Sequence, residues 1–171
     1  AAVANDLNMV DYLDVEQAYV NTKLPFGFNY KDADYDITHD NDEEGEHGSH
    51  VAGIATANSW LYNAAEDTYG KAMDYCFMQG VAPEAQVYVM KVFGANGGAY
   101  QDDLMAAIED ALTLDVDVIN MSLGATSGFS SEDPEIDDIY GRVEYHDVVL
   151  TVSAGNETQS SYGNMWGTDL N

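Results

Sequence analysis

A chain of 171 residues with 5 lysines and arginines against 31 aspartates and glutamates carries a formal net charge of −26. Its length suits one domain with a real core, and its charge would repel a polyphosphate, which sets nucleic acid aside as a partner. The lone cysteine, Cys76, cannot close an internal disulfide, no apolar run approaches the ~18 residues of a membrane span, and the N-terminus lacks the basic-then-apolar order of a signal peptide.

Residues 1–21 read as weakly helical. The segment Lys23-Leu24-Pro25-Phe26-Gly27-Phe28-Asn29-Tyr30 reads as extended, with Pro25 favouring an edge or a strand start. Asp40-Asn41-Asp42-Glu43-Glu44-Gly45-Glu46 packs five acids into a solvated loop whose carboxylates are also suited to capturing a cation. His47-Gly48-Ser49-His50-Val51-Ala52-Gly53 then opens a helix of small residues, a composition that lets a helix lie close against a sheet while its first residue stays exposed. Residues 57–80, rich in tyrosine, alanine and acids, read as an inserted surface excursion.

From residue 87 the pattern alternates. A β-rich run at 87–93 is followed by Leu104, Ile108, Ala111 and Leu112 at helical spacing within 102–114. A strand at 116–121, a less regular helix at 134–144 and a strand at 148–152 complete the series. Such alternation predicts crossover connections and a parallel sheet. In parallel sheets chemistry gathers beyond the carboxyl ends of the strands. Residues 94–99, Ser122-Leu123-Gly124 and Ser153-Ala154-Gly155-Asn156 all follow strands and are expected to face one rim.

Taken alone, each motif allows more than one reading. His47 and His50, three apart on a helix, suit a metal with nearby carboxylates, an ordinary structural pair, or a base. Gly155-Asn156 suits a turn after a strand as well as a carboxamide donor at the rim, and Gly97-Gly98 suits a flexible turn.

In combination, the segments resemble one superfamily. His47-Gly48-Ser49-His50-Val51-Ala52-Gly53 is similar to the His-Gly-Thr-His-Val-Ala-Gly block of subtilisin-like serine proteases, with Ser49 in place of the threonine. The resemblance implies that His47 is the general base and that His50 turns inward to pack and hydrogen-bond. Asn156, after Ser153-Ala154-Gly155, resembles the oxyanion-hole asparagine. Ser122, Leu123 and Gly124 resemble one substrate-binding edge of the cleft, and Gly97, Gly98 and Ala99 lie in a segment resembling the other. An extended peptide between two such edges gains backbone hydrogen bonds. Gly80-Val81-Ala82-Pro83-Glu84-Ala85, Met90-Lys91-Val92-Phe93 and the Lys23 segment, among others, resemble lactocepin-type cell-envelope proteinases over residues 20–170.

The implied fold is α/β, a three-layer subtilisin-like domain with a mainly parallel sheet, incomplete, with residues 1–171 forming part of a catalytic domain. Neither an Asp-Ser-Gly or Asp-Thr-Gly segment for the triad acid nor a Gly-Thr-Ser segment for the nucleophile occurs in the sequence. Ser49, Ser122 and Ser153 are poor substitutes, and Asp34 and Asp36 belong to an acidic loop. The resemblance therefore implies a segment of a secreted or wall-attached serine endopeptidase acting on extracellular polypeptides and inactive by itself. No cofactor is required for the chemistry, calcium is allowed as a structural ion at an unassigned site, and exposed sheet edges favour self-association. A non-catalytic pseudo-protease, or an acidic peptide- or cation-binding module, is the competing reading.

Overall fold

Among the described residues, two parallel strand pairs and one antiparallel hairpin organise the chain. The computed structural model describes residues 13–40, 42–63, 65–66, 68–71, 79–124 and 134–155. The described residues divide into two compact units, one running up to Tyr100 and the other from Gln101 onward.

In the first unit, Asp14 caps the short helix α1 (Val15–Ala18) by accepting a hydrogen bond from the Glu16 N–H at 2.9 Å. Strand β1 (Phe26–Asn29) begins directly after Pro25, so the proline marks a strand start. All four β1 residues are buried, as befits a strand covered on both faces. Ile37 lies over Gly27, where a Cβ would stand 2.7 Å from its Cδ1. The Phe28 ring meets Tyr30 and Tyr35 edge-on at centroid distances of 5.2 and 5.5 Å, each such pair adding about 0.5–1.5 kcal/mol beyond area burial. With Ala18, Phe26 and Val92 these rings form the core of the unit.

Helix α2 (His47–Thr56) follows the acidic loop. Strands β2 (Trp60–Asn63) and β3 (Thr68–Lys71) then pair as an antiparallel hairpin, with Trp60 opposite Lys71 and Asn63 opposite Thr68. The chain returns to its point of departure, because the Gly80 N–H donates to Ala57 O at 2.8 Å. Strand β4 (Tyr88–Lys91) lies parallel to β1 with Phe26 opposite Tyr88 and Asn29 opposite Lys91.

In the second unit, α3 (Gln101–Thr113) buries Leu104, Ala107, Ile108, Ala111 and Leu112, the stripe expected of an amphipathic helix. Asp102 and Asp103 sit in its first turn, where the helix dipole favours negative charge. Strands β5 (Val118–Met121) and β6 (Val149–Val152) pair in parallel, and α4 (Pro134–Tyr145) makes the crossover between them. Pro134 takes the first helical position, where a missing N–H costs nothing. Ile139 and Val143, one turn apart, are buried.

Both strands of this pair start later than 116 and 148, and the cause is the same. The Val116 N–H donates to Ala111 O and the Val148 N–H to Val143 O, each at 3.3 Å, while Asp115 and Asp147 stand at φ 58° and 57°. These are Schellman stops: the residue expected to open each strand caps the preceding helix instead. The alternating α/β order with parallel strand pairs otherwise follows the expectation.

Candidate active site

His47 is the first residue of α2, presented by a tight approach. Gly45 at φ +62° turns the chain, its N–H donating to Asp42 O at 3.3 Å, and the His50 N–H then donates to Glu46 O at 3.0 Å to begin the helical ladder. An open depression of about 590 Å³ is lined by Glu44, Glu46, His47, Ser49 and His50. The imidazole of His47 thus faces solvent at a helix start, within reach of a ligand.

The inward turn expected of His50 is not observed. His50 is exposed and no residue of α2 is buried. The small side chains of this helix offer little apolar area, so it is held by backbone hydrogen bonds at its far end. The N–H groups of Val81 and Ala82 donate to Ile54 O and Ala55 O at 3.0 and 2.8 Å, beside the Gly80 bond. These three donors satisfy carbonyls that a helix end leaves without intrahelical partners. Gly80 is required there, since a Cβ would stand 2.5 Å from the backbone nitrogens of Thr56 and Ala57.

The acidic loop is anchored by one cation. Lys91, the last residue of β4, pairs with Asp42 at 2.6 Å and donates to Thr38 O at 2.7 Å and Asp36 O at 3.3 Å. Side-chain exposures of 11% for Lys91 and 8% for Asp42 place this pair well inside the protein. Asp36 accepts from both the N–H and the hydroxyl of Thr38, and these bonds hold its carboxyl below the ordinary aspartate value of 3.8. Asp34 bridges to Asn29 through both backbone groups. Both aspartates therefore serve loop structure, in keeping with the acidic-loop reading.

Gly97 and Gly98 stand at φ +64° and +65°, a region that favours glycine. The acidic loop reaches this turn: a Cβ on Gly97 would lie 3.0 Å from Glu43 Oε2 and 3.4 Å from Glu44 Oε1. Through Glu44, the His47 depression and the turn preceding Ala99 border one another. Two segments fifty residues apart, singled out separately from sequence, are brought together by the parallel pairing of β1 and β4.

In the second unit, Ser122, Leu123 and Gly124 leave the end of β5 beside the end of β6. Ser122 Oγ accepts from Asn120 Nδ2 at 3.0 Å, Asn120 Oδ1 accepts from Thr151 Oγ1 at 2.9 Å, and Ser153 Oγ donates to Leu123 O at 3.1 Å. Thr151 in β6 and Ser153 just beyond its end thus help to hold the 122–124 segment in place. Asn156 lies outside the described residues. Among the described residues no group of three or more His, Cys, Asp or Glu is arranged to hold a metal ion. Metal binding by His47 and His50 with nearby carboxylates therefore has no geometric support.

The sequence profile of the Subtilase family matches residues 9–168, nearly the whole chain. The chain belongs to the subtilase family. It is 40% identical to a PI-type proteinase of Lactococcus lactis subsp. cremoris over 146 residues, which is 83% of this chain and 7% of that protein. It is 30% identical to the minor extracellular protease Epr of Bacillus subtilis over 115 residues, covering 67% of this chain and 15% of the relative. The chain therefore spans a small part of the relatives it matches. A mutant of the protease domain of PatA superposes with a TM-score of 0.54 at 22% identity, covering 71% of this chain and 39% of that one, a likeness of fold.

Two residues that hold these segments in place were not among the candidate site residues. Lys91 is one of 5 cationic residues in a chain of net charge −26 and stands at a strand end, a signal that could have marked it as an anchor. Gly80 offers no comparable signal, since the α2 backbone it packs against lies far away in sequence.

Proposed function

We propose that these residues form part of an extracellular serine endopeptidase, with His47 as general base and Asn156 as oxyanion donor. Residues 122–124 and 97–99 serve as the two edges that pair with an extended polypeptide substrate. The observation that carries this reading is the position of His47: it opens α2 at a solvent-facing depression bordering the Gly97 turn. In that role the imidazole takes the proton of an attacking serine hydroxyl and returns it to the leaving amine. The Asn156 amide would donate to the oxygen on which negative charge develops, an interaction worth about 10²–10³-fold in turnover. The serine and the triad acid are not supplied by any recognisable motif of these 171 residues, so the chain alone is expected to be inert.

A fluorophosphonate probe tests both halves. The probe should label the protease that carries this chain together with its serine segment and lose that labelling in His47→Ala. It should leave the 171-residue chain unmarked. Labelling of the chain by itself, or labelling and peptide cleavage that survive His47→Ala, would defeat the proposal. The relative described as an extracellular protease supports a location outside the cell, and secretion of the tagged protein into culture medium checks it.

A further inference from the structure

Within the first unit, one carboxylate of the acidic stretch after β1 is tied to the segment that follows β4. Asp32 Oδ2 accepts a hydrogen bond from the Ala95 N–H at 3.0 Å and another from Asn29 Nδ2 at 3.0 Å. The Asn29 side chain is itself held in place. It is 1% exposed, and its Oδ1 accepts from the Asp32 N–H at 3.1 Å, so the two residues orient each other. Gly94 is shaped to this contact: a Cβ there would run into the carboxylate, 2.6 Å from Asp32 Cγ. Beyond Ala95 the Gly97 N–H returns to Gly94 O at 3.0 Å, so the orientation of the Gly94–Ala95 peptide sets where the Gly97-Gly98 turn points. The neighbouring Lys31 places its ammonium 3.0 Å from the centre of the Tyr100 ring. Two consecutive side chains thus grip the segment 94–100 at both of its ends.

We infer that Asp32 is a positioning residue for substrate recognition, one that sets the backbone of the peptide-binding edge at residues 97–99 through the Ala95 N–H. This inference rests on the endopeptidase reading and adds to it a residue outside every motif that identifies the family. An edge that pairs with substrate backbone needs its donors and acceptors held in one direction before the peptide arrives, because ordering them on binding weakens association. A hydrogen bond to a charged acceptor is suited to that task.

The experiment uses the protease that carries this chain, with two substrates: a fluorogenic hexapeptide that spans the cleft and a small activated ester that does not reach the 97–99 edge. Asp32→Ala is expected to raise KM for the hexapeptide by about tenfold while leaving its kcat and the ester kcat/KM within about twofold. Gly94→Ala should do the same, since it expels the carboxylate. Asp32→Asn keeps an oxygen for the Ala95 N–H and should return KM to near the wild-type value. An unchanged hexapeptide KM in Asp32→Ala, parallel loss of peptide and ester turnover, or failure of Asp32→Asn to restore KM overturns the inference. Amide exchange separates this from failure of the endopeptidase reading. A wild-type protein that cleaves neither substrate refutes the protease assignment, whereas exchange at Ala95 that does not accelerate in Asp32→Ala refutes the positioning.

Discussion

Replacing Gly80 by alanine should unseat α2 from its far end, although residue 80 is thirty-three positions from His47. A Cβ at this position would stand 2.5 Å from the nitrogens of Thr56 and Ala57 and 2.8 Å from the Ala55 carbonyl carbon. All three are backbone atoms that cannot swing aside. Overpacking of this kind costs about 1–3 kcal/mol, and each backbone hydrogen bond opened by the shift costs about 0.5–1.5 kcal/mol more. Residues 80–82 contribute three such bonds, at 2.8, 3.0 and 2.8 Å. If one or two open, the loss is about 3 kcal/mol, which for a chain of this size lowers Tm by about 6–12 °C. Circular dichroism melts measure the Tm, and amide exchange at Val81 and Ala82 locates the damage. Gly141→Ala supplies the contrast, because Gly141 sits exposed inside α4 with nothing within 4 Å of a Cβ. That change should raise stability by about 0.5–1 kcal/mol. A Gly80→Ala protein melting within about 2 °C of wild type, with protection at Val81 and Ala82 intact, would refute the account of how α2 is held.

Lys91→Met should cost about 3–5 kcal/mol in urea denaturation, because it leaves the largely buried Asp42 carboxylate without its cation and withdraws donors from Thr38 O and Asp36 O. A loss below about 1 kcal/mol would show that the pair behaves as an exposed one. Asp36 has a folded-state pKa depressed below 3.8, chiefly by the Thr38 hydroxyl. Its contribution is complete above 3.8 and is lost as pH falls through the lower folded value. NMR of the Thr38 amide should therefore hold its folded position down to pH 3.8 and change only below it, and a midpoint above 3.8 contradicts the assignment. Asp147→Gly should stabilise the protein by up to about 1 kcal/mol, since glycine meets the φ of 57° without the cost that a side chain carries there. A drop in Tm would show that the Asp147 side chain contributes more than its backbone strain removes.

Local order was legible from sequence wherever short-range chemistry decides it. The stripe Leu104, Ile108, Ala111 and Leu112 placed α3 to within one residue, because burial every third or fourth position needs no knowledge of the partner. The block from His47 to Gly53 marked a helix opening with an exposed histidine, and α2 begins at that residue. The strand starts at 116 and 148 were misjudged because a β-branched residue after an aspartate reads as strand, while capping the helix behind it claims its N–H first.

The sequence by itself determined the alternating helices and strands from residue 87 onward, the parallel pairing they imply, and membership of the subtilase family, since each depends on residue types close together along the chain; strands β2 and β3, within the stretch read as a surface excursion, were not among them. Tertiary structure decided what meets across distance. It exposed His50, because a helix of small residues buries nothing without a neighbour laid over it. It also brought Asp32 to Ala95, Lys91 to Asp42 and Glu43 to Gly97, contacts spanning about fifty to sixty positions. Those pairings follow from the register of β1 against β4, and register belongs to two strands at once, so neither segment read alone contains it.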